Sequence, residues 1–175
     1  MIIKTGHIKP FWDESYKSFN YVKQPITNHE VKDWESQGYD YVKSFTGWMY
    51  DNRNPMPEYL DKFNQFGLKN QVYCFYLMKT LEIMPIHSDK YLRYIELFNA
   101  NPSKVCRVLL MLEDWKSGHY LEIDGKGYVN WKQGDWFMWN NDVPHAASNI
   151  GTAPRYTLQI TGELVEQSFT EHPLV

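Results

Sequence analysis

The sequence is poor in several features, and each shortage narrows its class. Its 175 residues include only two cysteines, Cys74 and Cys106. That is too few for a disulfide framework. Both stand inside apolar runs, where two buried free thiols in a reducing cytoplasm are the expectation. No run of Lys or Arg exceeds two residues, and the formal net charge is −3. The clustered basic excess of a phosphate-binding surface is therefore missing, and nucleic acid is not expected as a partner. Nothing approaches the roughly eighteen consecutive apolar residues that begin to suggest a membrane span. The opening stretch, MIIKTGHIKPFWDE, lacks the apolar core and small-residue cleavage site of an export signal. A cytoplasmic protein without a membrane partner is the expectation. Internal repeats and low-complexity segments are also missing, and the length is short for two ordinary domains.

What is present is a globular composition, 43% hydrophobic and 22% charged, with aromatics at 17%. Such an aromatic load suits an all-β core or an aromatic-lined pocket. The chain changes character near residue 70. Before it the signals are helical. Thr27 and Glu30 have capping-box spacing, and Ile26 with Val31 suits a hydrophobic staple. They predict a helix over 28–37 that stops at Gly38. A second helix is predicted from Pro57 to just before Gly67, burying Leu60 and Phe63. After residue 70 the punctuation is that of short strands. These are Val72–Leu81, Val105–Leu112, Tyr120–Ile123, Tyr128–Trp131, Trp136–Trp139 and Arg155–Gly162, with turns at Asp124-Gly125 and Gly134-Asp135. Residues 91–98, YLRYIELF, fit helical spacing as well as a strand. The reading is a mainly β, α+β protein forming one domain over 1–175. A helical N-terminal layer (1–70) packs on a sandwich or barrel core (71–165).

Six histidines are present, at 7, 29, 87, 119, 145 and 172. His87 lies in Ile86-His87-Ser88-Asp89, and in extended backbone residues i and i+2 point to one side. His87 and Asp89 are thus placed to offer an imidazole and a carboxylate to one metal ion. His145, after the turn Asn140-Asn141-Asp142-Val143-Pro144, is the candidate third ligand of a two-His-one-carboxylate face. The bland alternative is a hydrogen-bonded His-Ser-Asp turn with an ordinary buried histidine. Arg155 follows His145 by ten residues. On its strand Arg155, Thr157, Gln159 and Thr161 share one face, opposite Tyr156, Leu158 and Ile160. A polar face headed by Arg is odd as core and sensible as pocket lining, where a guanidinium grips a carboxylate and a hydroxyl adds a contact. A surface ion pair is the alternative for Arg155. His119 is expected to be structural or near the pocket edge.

In order, His87-x-Asp89, His145 and Arg155-x-Thr157 resemble the iron(II)/2-oxoglutarate-dependent dioxygenase superfamily. Trp131, Gly134-Asp135, Asp142 and Asn149 add a likeness to its prolyl and aspartyl/asparaginyl hydroxylase-like members. The likeness covers about half of the chain. It implies a double-stranded β-helix (jelly-roll) core, with Fe(II) on His87, Asp89 and His145 and the distal carboxylate of 2-oxoglutarate on Arg155 and Thr157. It implies O2 as cosubstrate and hydroxylation of a peptide side chain or small molecule, with succinate and CO2 as coproducts. Because Asp89 is present, it implies hydroxylation rather than halogenation. The chain departs from the pattern where many relatives carry an inner-strand Tyr: Val108 and Leu110 are read there, which leaves Tyr76 and Tyr120 as candidates for that contact. Trp48, Trp136 and Trp139 are candidate pocket walls. The competing class is a non-catalytic metal-binding jelly-roll module.

Overall fold

The structure, a computed structural model, describes residues 2–24, 28–40 and 47–165. Strand β6 (Val105–Met111) shows how the chain is layered. Its sequence VCRVLLM is apolar at nearly every position, as a strand covered on both faces must be. Cys106, Val108 and Leu110 pack outward with Trp12, Tyr16, Leu60 and Phe63 from the N-terminal residues. Leu109 and Met111 pack inward, with Leu121, Ile123, Phe137 and Trp139.

The large sheet joins β1 (Ile3–His7), β9 (Asp135–Asn140), β6, β11 (Arg155–Leu164), β4 (Leu68–Met78), β3 (Trp48–Asp51) and β2 (Val22–Lys23), in that spatial order. The small sheet orders β5 (Glu82–His87), β10 (His145–Asn149), β7 (His119–Ile123) and β8 (Lys126–Tyr128). All pairings are antiparallel. From β4 to β11 the chain passes back and forth between two four-stranded layers, β4-β11-β6-β9 and β5-β10-β7-β8. This is a double-stranded β-helix. Cys74 and Cys106 are free thiols, as expected.

The N-terminal residues are less helical than their sequence suggests. Helix α1 (Asn28–Ser36) ends as predicted, with Gly38 at φ +91°. The proposed cap and staple involve Thr27 and Ile26, which lie outside the described residues. The segment after Pro57 forms only a 3-10 turn, Glu58–Lys62. Leu60, Phe63 and Phe66 are all buried, Leu60 from within that turn and the two phenylalanines from the irregular chain after it. Strands β1, β2 and β3 extend both edges of the large sheet and were not foreseen.

Other boundaries also moved. The run Val72–Leu81 does not continue as one strand: β4 ends at Met78, and the rest of the run is a turn, with Leu81 at φ +65°, that leads into β5 of the other sheet. Residues 91–98 are helical: α2 spans Leu92–Phe98, between left-handed Tyr91 and Asn99. Of the expected strand Tyr128–Trp131 only Tyr128 is in β8. No helix among the described residues is long and apolar enough to cross a membrane.

Candidate metal centre

His87 ends β5 and His145 begins β10, and the two are register partners across the small sheet. Their ring centroids are 4.3 Å apart. Strand β5 is an edge strand, which is why Pro85 is tolerated within it. Asp89 follows in the loop after β5. Its carboxylate lies 3.9 Å from His87 Nε2 and 3.8 Å from His145 Nε2. One ligand atom from each of the three falls within 4.8 Å of the others, the only such group among the described residues.

The same local device orients both imidazoles. His87 Nδ1 donates to the carbonyl of Pro85 (2.8 Å) and His145 Nδ1 to that of Val143 (2.9 Å). Each Nε2 is left with its lone pair toward Asp89, the tautomer a metal needs. Burial and the neighbouring His87, partly opposed by Asp89, push His145 down to about 4. It is therefore neutral near pH 7. For Asp89, burial works against ionisation, but Arg107 and the two imidazoles hold its carboxyl well below the usual range. The loops carrying the ligands are tied together: Ser88 Oγ donates to the carbonyl of Asp142, and Lys90 pairs with the Asp142 carboxylate. From α1, Trp34 donates to the Ile86 carbonyl (3.2 Å) and sets its ring edge-on to His87 at 5.8 Å.

Between the sheets a pocket runs from this triad to Arg155, with Met78, Met84 and Leu121 among its apolar walls. Arg155 is 5% exposed, and no carboxylate pairs with it among the described residues. Its Nη1 donates to the Tyr120 carbonyl (3.1 Å), its guanidinium lies 5.4 Å over the Trp131 ring, and its Nε has no partner. Burial pulls its pKa down to about 10, opposed by Tyr76. Four buried polar atoms without a partner among the described residues belong to residues lining this pocket: Gln24 Oε1, Tyr76 Oη, Trp139 Nε1 and Arg155 Nε. Unsatisfied buried groups are costly. All four stand in residues that line this one pocket, three as donors and Gln24 Oε1 as an acceptor.

Thr157 and Gln159 line the pocket with Arg155, while Tyr156, Leu158 and Ile160 face the outer core, as expected. Thr161 shares the strand face but not the pocket lining. Tyr76 and Trp139 line the pocket; Tyr120 and Trp48 do not. Tyr120 instead bonds Glu122 through its hydroxyl, and Trp48 donates to Glu82. Trp136 packs outward against Phe66. His119 is structural, buried with Nε2 donating to the Ala153 carbonyl at 3.0 Å. Val108 and Leu110 prove to be on the outer face of β6, and the pocket face carries Arg107 and Leu109. Arg107 was missed. Its signal was a lone charge in an otherwise apolar strand.

No known family's sequence model matches the chain, and no curated protein matches it. Solved structures resemble it over part of their length, at low identity. KdgF from Halomonas sp. is 8% identical, covering 69% of this chain and 81% of its own, with a TM-score of 0.43. A protein described as a predicted oxalate decarboxylase from Thermotoga maritima is 13% identical over 68% and 82%, at 0.43. A cupin protein from Bacteroides fragilis is 17% identical over 61% and 75%, at 0.40. Likenesses this distant say nothing of chemistry.

Proposed function

We propose that the protein is a non-haem Fe(II)- and 2-oxoglutarate-dependent oxygenase that hydroxylates a peptide side chain or a small molecule. The observation that carries this reading is the buried Arg155, paired with no carboxylate among the described residues, in the same pocket as the His87/Asp89/His145 cluster. Two imidazole nitrogens and one carboxylate oxygen form a donor set that suits Fe(II) and leaves open coordination positions. His87, Asp89 and His145 would hold the ion, which supplies a place for the oxoacid and O2 to meet and react.

The chain's own part is recognition and exclusion of water. Arg155 still has donors to offer after its bond to the Tyr120 carbonyl, so it is suited to grip the distal carboxylate of the oxoacid, with the Thr157 hydroxyl beside it. Met78, Met84 and Leu121 keep the span between the two ends apolar. Net turnover consumes one 2-oxoglutarate, one O2 and one substrate C–H, and yields succinate, CO2 and the hydroxylated substrate. A metal-binding module without catalysis would have no use for Arg155.

Aerobic Fe(II)-loaded protein is expected to convert 2-oxoglutarate slowly to succinate without substrate, and Asp89→Ala to abolish this while the protein remains folded. Candidate peptides and small molecules can then be ranked by how far they accelerate succinate formation. No succinate from protein with verified Fe(II), bound 2-oxoglutarate and a broad substrate panel would favour the non-catalytic module.

A further inference from the structure

Beyond the three residues of the cluster, a second tier of side chains meets Asp89. Tyr91 Oη donates to Asp89 Oδ2 at 2.9 Å, and Arg107 Nη2 donates to the same oxygen at 3.1 Å. Arg107 in turn donates through Nη1 to Gln159 Oε1 and through Nε to the Tyr91 hydroxyl (3.4 Å), with its guanidinium 5.2 Å over the Tyr91 ring. The four residues come from four places: the loop after β5, the start of α2, and the central strands β6 and β11. Tyr91 makes this contact from a left-handed backbone, φ 51° and ψ 25°. That conformation is uncommon for a bulky non-glycine residue and persists where surrounding contacts enforce it.

A carboxylate oxygen has two lone pairs, and the two donors occupy both on Oδ2. Oδ1 accepts no hydrogen bond from a described residue and lies 3.9 Å from His87 Nε2, while Oδ2, besides its two donors, lies 3.8 Å from His145 Nε2. We propose that Tyr91 and Arg107 are positioning residues that take Oδ2 of Asp89 and present Oδ1 as its metal-binding atom. This rests on the metal-site reading above. Without the two donors the carboxylate is free to rotate, and its orientation must be fixed again each time an ion binds. Arg107 also brings a positive charge near the ion, so deleting it would mix two opposed effects. Tyr91→Phe and the charge-keeping Arg107→Lys separate orientation from charge. A lysine ammonium, a point charge without the planar fork, cannot serve Asp89, Gln159 and Tyr91 together.

The test is Co(II) titration, followed by calorimetry and visible absorption, of the wild type and of Tyr91→Phe, Arg107→Lys and Tyr94→Phe. Tyr94 is the control: it lies in the same helix and its hydroxyl bonds the Asn70 carbonyl (3.0 Å), away from the site. Tyr91→Phe and Arg107→Lys are each expected to bind Co(II) about tenfold more weakly with an altered visible spectrum, the lower end of what loss of an outer-shell partner costs. Tyr94→Phe should match the wild type. Affinity within about twofold of wild type, with an unchanged spectrum, would overturn the role of the residue concerned. A structure of the Co(II)-loaded wild type decides the matter even if a variant misfolds. The ion on Oδ1, with Oδ2 still on Tyr91 and Arg107, supports the proposal, and the ion on Oδ2 overturns it. Wild-type protein that binds no Co(II) would instead sink the metal-site reading itself.

Discussion

Arg155 sits where an apolar side chain would be easier to bury. It keeps one hydrogen bond to a carbonyl, leaves Nε without a partner, and meets no carboxylate among the described residues. The effective desolvation penalty for one buried ion is on the order of several kcal/mol. Arg155→Met, of similar length and flexible enough to fill the space, should therefore stabilise the ligand-free protein by about 1 kcal/mol net, after loss of the bond to the Tyr120 carbonyl. The same variant should no longer bind 2-oxoglutarate in the presence of a divalent ion. Urea denaturation and anaerobic binding measure the two effects. A less stable variant would mean that the folded protein already compensates the guanidinium. Residues of this kind were legible in the sequence because their types are rare in cores and their spacing follows the strand. His87 and Asp89 alternate in extended chain, and Arg155 heads a polar face. The roles of Arg107 and Tyr91 were not legible. The lone charge of Arg107 in an apolar strand signals that it has a partner but not which one, since the contacts that give it a role come from residues 16 to 52 positions away.

At the level of elements, the hairpin between β4 and β5 shows where sequence reading fails and why. Val72 to Leu81 contains none of the Gly, Pro or Asn punctuation that marks a turn, so it reads as one strand. The chain nevertheless turns after Met78. Glu82 closes the turn from outside the run: its carboxylate accepts the Lys79 backbone N–H and, on its other oxygen, the indole N–H of Trp48 (2.8 Å). This turn carries the chain from the large sheet into the small one, and so aims β5 and His87 toward the pocket. Its cost falls on Leu81, left-handed at φ +65° and 73% exposed. A non-glycine residue in that region loses roughly 1–2 kcal/mol of backbone energy. The exposed side chain recovers little by packing. Leu81→Gly should consequently raise stability by about 0.5–1 kcal/mol, the gain being reduced by glycine's greater freedom when unfolded. Thermal and urea melts measure it. A loss instead would show that the Leu81 side chain packs against something that its exposure conceals. Strand β10 escaped notice for a related reason. His145-Ala146-Ala147-Ser148-Asn149 has no β-branched residue, and its two neighbours β5 and β7 define it as a strand.

Across the whole molecule, the two ends of the pocket belong to different sheets. His87 and His145 stand on the small sheet, whereas Arg155, Thr157 and Arg107 stand on the large one. A divalent ion alone would engage the small sheet and the Asp89 loop. An oxoacid alone would meet Arg155 but lack a partner for its keto and carboxylate oxygens at the other end. Only both together would bridge the layers. Each ligand that binds the folded state stabilises it by mass action, about 2.7 kcal/mol at a free concentration of 100 times its Kd. Bridging should make the joint effect larger than the sum of the separate ones, because each improves the affinity of the other by the same factor. Thermal melts with Mn(II), with 2-oxoglutarate and with both should therefore show a small shift for 2-oxoglutarate alone, a moderate one for Mn(II), and a combined shift exceeding their sum. Arg155→Met should retain the Mn(II) shift and lose the extra increment. Asp89→Ala should lose both, since the carboxylate is the only anionic member of the metal cluster. Strictly additive shifts in the wild type would mean that ion and oxoacid occupy unconnected sites, and the oxygenase reading would then lose the shared pocket on which it stands.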